Sequence, residues 1–137
     1  MRKIDKIIVH CSATREGQDI PVETIKKWHV EGRGWSDIGY HFYVSLDGTI
    51  KKGRDIDRSG AHTKGENKTS IGLCYCGGVE ADGKTPKDTR TPEQKESLLS
   101  VLKTLKAMFP ESTIYSHNEF ANKACPSFDA TAEYKSL

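Results

Sequence analysis

Short apolar runs rich in β-branched residues alternate along this chain with two longer segments of helical periodicity, and that alternation constrains the fold more than any other feature. Residues 4–9 (Ile-Asp-Lys-Ile-Ile-Val) read as a short buried strand, suited to the interior of a sheet. Residues 40–46 and 49–52 read as two strands around Asp47-Gly48, a strong hairpin signal. Residues 70–76 make a further apolar strand closed by Gly77-Gly78, and residues 113–115 a last short one. Between them, Val22, Ile25, Trp28 and His29 recur at three- and four-residue intervals and predict a helix with one buried face. Pro21 suits its first turn, Asp19 its cap, and Gly32 and Gly34 its end. Thr91-Pro92-Glu93-Gln94 opens the second helix with a capping box. Its inner face carries Leu98, Val101, Leu102, Leu105, Met108 and Phe109, and Pro110 stops it. Residues 79–90 are polar and predict a surface loop. The expected fold class is α/β: a mixed central β-sheet flanked by helices.

With 137 residues the chain is the size of one domain, so residues 1–137 are read as a single domain without a linker or internal repeat. Twenty-one Lys and Arg against 19 Asp and Glu leave a formal charge of +2. That balance argues against a dedicated nucleic-acid binder. No apolar run approaches the ~18 residues that cross a bilayer, so membrane insertion is not expected. The N-terminus lacks a signal peptide's apolar core, being interrupted by Asp5 and Lys6, so the protein is expected in the cytoplasm on synthesis. Cys11, Cys74, Cys76 and Cys125 form no disulfide or Cys-x-x-Cys framework, which fits a reducing compartment.

Three metal-ligating side chains stand at element ends or in loops. His10 follows the first strand, His117 follows the last, and Cys125 comes eight residues later. In α/β sheets such strand ends build ligand sites. Two imidazoles and a thiolate match a catalytic zinc that leaves its fourth position to water. Adjacent strand residues point to opposite faces, so Cys11 is not expected to share a metal with His10. On spacing alone a packed or surface histidine and a buried thiol are the better readings, and placement beside small and polar residues brings the metal reading level with them.

Five segments in order carry a resemblance. They are Val9-His10-Cys11-Ser12-Ala13-Thr14, Gly34-Trp35-Ser36-Asp37-Ile38-Gly39-Tyr40-His41-Phe42, Gly60-Ala61-His62-Thr63-Lys64-Gly65-Glu66-Asn67, Ser70-Ile71-Gly72 and Lys123-Ala124-Cys125-Pro126-Ser127-Phe128-Asp129. Together the chain resembles the zinc N-acetylmuramoyl-L-alanine amidases of the phage lysozyme and peptidoglycan recognition protein group. The resemblance implies hydrolysis of the amide between N-acetylmuramic acid and L-alanine in peptidoglycan, with a zinc site in a surface cleft at the strand ends. It implies one zinc per chain, held by His10, His117 and Cys125. It also implies Tyr40 and Lys123 as catalytic side chains, and His62 and Asn67 as substrate-binding groups in a Gly-rich loop. The expected partner is peptidoglycan or a muropeptide, the expected state a monomer, and the place of action the cell wall after release or export.

His41 is read as structural, His29 as packing or surface, and Glu119 as a partner of a zinc histidine in preference to a general base. Asp55-Ile56 stands where recognition proteins selective for diaminopimelate often carry Gly-Trp, and Glu66 stands where a tyrosine is frequent, so stem-peptide preference is left open. Two rival readings are a muropeptide-binding module that does not cut and a protein-binding regulator on the same scaffold. Cys125 separates the first from an enzyme, because recognition proteins of this group without activity typically lose it.

Overall fold

The computed structural model describes residues 2–137, Met1 lying outside them. Five strands form one mixed sheet in the order β4 (Ile50–Lys52), β3 (Phe42–Val44), β5 (Ser70–Tyr75), β1 (Lys6–Cys11) and β7 (Thr113–Ser116). β1 (Lys6–Cys11) is central and runs parallel to β5 (Ser70–Tyr75) on one side and to β7 (Thr113–Ser116) on the other. β3 (Phe42–Val44) is parallel to β5 and pairs antiparallel with β4 (Ile50–Lys52) through the expected Asp47-Gly48 turn. A second, two-stranded sheet pairs β2 (Thr14–Arg15) with β6 (Gly78–Val79). Helices α1 (Val22–Arg33) and α2 (Pro92–Met108) and the short α3 (Ala130–Glu133) complete the fold. Among the described residues no helix is long and apolar enough to cross a membrane.

Strand alternation sends the two faces of the sheet to two cores. Ile7, Val9, Ile71, Leu73 and Tyr75 pack with Leu98, Leu102 and Leu105 of α2. On the other face Cys74, Cys76 and Tyr43 pack with Ile25 of α1, Ile20 and Ile38. His10 is opposite Cys74 in the β1–β5 register. It therefore belongs to the α1 face, whereas Cys11 joins the α2 face.

The α2 capping box forms as expected: Thr91 Oγ1 accepts from Gln94 N–H at 3.1 Å, and Gln94 Oε1 accepts from Thr91 N–H at 2.9 Å. Other local expectations need correction. Pro21 takes the cap position of α1 with extended backbone and no capping side chain, so Asp19 is not its cap. Trp28 is 46% exposed, because at about 100° per residue it falls roughly 60° beyond Ile25, at the edge of the apolar stripe. Met108 is 49% exposed at the end of α2, and Phe109 takes the inward place just beyond it. The polar stretch 79–90 is not wholly a surface loop. Val79 pairs in β6, and Arg90 is buried. The Arg90 guanidinium bonds Asp88 and Glu133 and lies 3.4 Å from the Phe128 ring centroid.

Candidate metal centre

Because β1 and β7 are parallel and Val9 pairs with Ser116, the next residue of each chain segment emerges at the same sheet end. Those residues are His10 and His117, with ring centroids 4.3 Å apart. His10 is still within β1, one correction to the expectation that it follows the strand; the β1–β5 ladder continues through Cys11. Cys125 arrives on the loop after His117, where its Sγ accepts from the Cys11 N–H at 3.1 Å. Tyr75 Oη donates to the Pro126 carbonyl at 2.7 Å and ties that loop to β5. One ligand atom from each of His10, His117 and Cys125 lies within 4.8 Å of the others, so the three expected ligands converge.

Two observations fit a metal at this point. His117 Nδ1 is buried and has no hydrogen-bond partner among the described residues, a costly state unless another species uses its lone pair. His10 Nδ1 lies 4.0 Å from Cys125 Sγ, while its Nε2 is engaged on the far side. Burial holds the His10 imidazole well below its ordinary pKa, helped by His62, His117 and Lys123. Burial and the Lys123 charge lower His117 as well. Both rings are therefore neutral near pH 7, the form that ligates metal. The neighbouring Cys11 thiol and then burial raise the Cys125 thiol, so metal binding must displace its proton.

Tyr40 lies beside this cluster, its ring 5.1 Å from that of His10. Burial pushes its phenol well above the ordinary range, with Cys74 and Cys125 adding to the effect. It is a neutral hydrogen-bonding group here. His29 supports it: Nδ1 accepts from Gly39 N–H at 2.9 Å and the ring sits 5.5 Å from that of Tyr40. Arg54 fixes the same segment by donating to the carbonyls of Asp37, Ile38 and Ser59. Lys123 is exposed, and its charge is close enough to lower both His10 and His117.

The side chains of the Gly-rich loop make contacts within the protein. Both ring nitrogens of His62 meet protein groups: Nδ1 is 2.9 Å from His10 Nε2, and Nε2 is 3.2 Å from Ser70 Oγ. Asn67 Oδ1 accepts the backbone N–H groups of His62 and Thr63, each at 2.9 Å. His62 thus faces the expected ligand His10, and the Asn67 carbonyl oxygen is used to close the loop. Glu119 is another correction. It lines a groove with Ile114, Asp129 and Thr131, and among the described residues it bonds neither His10 nor His117. His41 is structural as expected: buried, with Nδ1 accepting from Gly72 N–H at 3.0 Å. Glu66 pairs with Lys6 at 3.3 Å. The contacts of His62 with His10 and of Cys11 with Cys125 join residues more than 50 positions apart, and spacing carried no signal for them.

Comparisons with known proteins point to one family. The N-acetylmuramoyl-L-alanine amidase family matches residues 1–128. The endolysin of Escherichia phage T7 is 48% identical over 125 residues, covering 91% of this chain and 82% of that protein. The endolysin of Enterobacteria phage K11 is 45% identical over 128 residues, covering 93% and 83%. Among solved structures, the N-acetylmuramoyl-L-alanine amidase LysC from Clostridium intestinale superposes with a TM-score of 0.81 at 27% identity, covering 97% of this chain and 83% of that one.

Proposed function

Since the chain belongs to the N-acetylmuramoyl-L-alanine amidase family, we propose that His10, His117 and Cys125 hold one zinc ion at the centre of its hydrolytic site. The protein is a peptidoglycan hydrolase that cuts the amide between N-acetylmuramic acid and L-alanine. The observation that carries the zinc reading is the convergence of three donors around a buried, unpartnered His117 Nδ1. The converging group is made of these three side chains, the number that a catalytic zinc takes when its fourth position is left to water. When bound, zinc supplies Lewis acidity toward the scissile carbonyl and lowers the pKa of the attacking water.

The chain's own groups do the rest. Tyr40, a neutral phenol beside His10, orients the attacking water by hydrogen bonding. The Lys123 ammonium stabilises negative charge on the carbonyl oxygen as the tetrahedral centre forms, a contribution worth several kcal/mol in a preorganised site. Asn67, whose Oδ1 is spent on the loop, offers its amide N–H groups to the muramyl-peptide. Peptidoglycan or a muropeptide is the partner, and the cell wall the place of action, as the name endolysin says of the phage relatives.

Metal analysis tests this reading. Purified protein is expected to carry one zinc per chain, to lose turnover on chelation and to regain it with added zinc. Full turnover by protein shown to be metal-free contradicts it.

A further inference from the structure

His10 presents opposite edges of its ring to two different neighbours. Nδ1 faces Cys125 Sγ at 4.0 Å, and Nε2 faces His62 Nδ1 at 2.9 Å, with Thr63 Oγ1 at 3.3 Å. A neutral imidazole has one protonated and one bare nitrogen. A contact of 2.9 Å between two such nitrogens needs a proton on one of them only. In one arrangement His10 Nε2–H donates to His62 Nδ1, and His62 Nε2–H donates to Ser70 Oγ. His10 Nδ1 is then bare and directed into the ligand cluster. In the reverse arrangement His10 carries its proton on Nδ1, which blocks ligation.

The seat of the His62 ring is closely built. A Cβ at Gly72 would lie 2.6 Å from the ring, and one at Gly60 2.7 Å from its Cδ2, so only glycine fits at either place. Asn67 pins the backbone on both sides of the same residue boundary.

We propose that His62 is a positioning residue for the hydrolysis: it accepts the His10 Nε2–H, passes its own Nε2–H to Ser70, and so keeps the His10 Nδ1 lone pair free for the metal. The proposal rests on the zinc reading above. Partners of metal-bound histidines fix ring orientation and tautomer, and their loss costs about 10–100-fold in metal affinity or activity.

Nitrogen NMR of the metal-free protein tests the tautomer without metal or activity. His10 is expected to carry its proton on Nε2; a proton on Nδ1 overturns the proposal. Zinc affinity, measured by competition with a chelator, is the second arm. His62→Leu is expected to weaken zinc by about 10–100-fold, and His62→Asn, which keeps an acceptor near the Nδ1 position, to recover most of the loss. With zinc saturating, His62→Leu lowers kcat and leaves KM within about twofold. Wild-type zinc affinity in His62→Leu together with a raised KM identifies a substrate contact and overturns the proposal. Ser70→Ala preserves the His62 ring and is expected to weaken zinc several-fold, which keeps the test open if His62→Leu does not fold. Wild-type protein that binds no zinc overturns the zinc reading and this proposal together, a result distinguishable because no variant then differs from it.

Discussion

Lys123 and Cys125 are two residues apart and have different roles in the proposed site. The Lys123 ammonium touches the site through its charge, which bears on both His10 and His117. Lys123→Ala is therefore expected to keep zinc while losing roughly 10²–10³-fold in kcat, the scale of removing one group that stabilises an oxyanion. Steady-state kinetics beside metal analysis checks this, and near-normal turnover removes Lys123 from the catalytic set. Cys125 is a ligand in the proposed zinc site, and a neutral serine hydroxyl is a poor substitute for thiolate. Cys125→Ser is expected to lose zinc and hydrolysis, yet to bind muropeptide within about tenfold of wild type, or 1.4 kcal/mol. The cleft around Asn67 is held by its own loop bonds and does not depend on Cys125. Calorimetric titration of a muropeptide checks it; hydrolysis equal to wild type shows that Cys125 is dispensable.

At the scale of elements, two local signals form as expected, whereas the Asp19 cap of α1 does not. The Asp47-Gly48 hairpin and the Thr91–Gln94 capping box depend on residues within four positions of one another, and both form. Gln94 does more than cap. Its Nε2 also donates to the Cys76 carbonyl at 2.9 Å and to that of Val44 at 3.3 Å, joining α2 to β3 and to the end of β5. That bridge crosses 18 and 50 positions and leaves no mark in a local pattern. The same holds for Arg90, which lies in a polar stretch yet is buried against Phe128, Asp88 and Glu133. Gln94→Leu keeps the volume but strands two carbonyls and the Thr91 N–H, for an expected loss of about 2–4 kcal/mol. Thr91→Ala, which removes one cap acceptor, is expected to cost about 1–2 kcal/mol. Denaturant unfolding of both variants checks the order, and a Gln94→Leu protein as stable as wild type refutes the bridge.

Taken whole, the molecule buries or half-buries its histidines, which favours their neutral form, and its stability follows pH accordingly. Burial lowers both His29 and His41 to about 4, against an ordinary value near 6.5. Between those values the unfolded chain binds more protons than the folded one, so stability falls as pH drops through about 6.5. Metal-free protein is expected to melt at lower temperature at pH 5 than at pH 7.5; a Tm that is flat or higher at pH 5 contradicts this. The proposed ligands come from three separate parts of the sequence because parallel β1 and β7 bring His10 and His117 to one sheet end, with Cys125 folded back over Cys11. The sequence motifs named those three residues, but the way His62 backs His10 emerged only from the assembled sheet. The most direct measurement of the central claim is mass spectrometry of purified peptidoglycan digested by the zinc-loaded protein. Free stem peptides beginning at L-alanine, with intact glycan strands, are the expected products, whereas cleavage between sugars or within the stem contradicts the account.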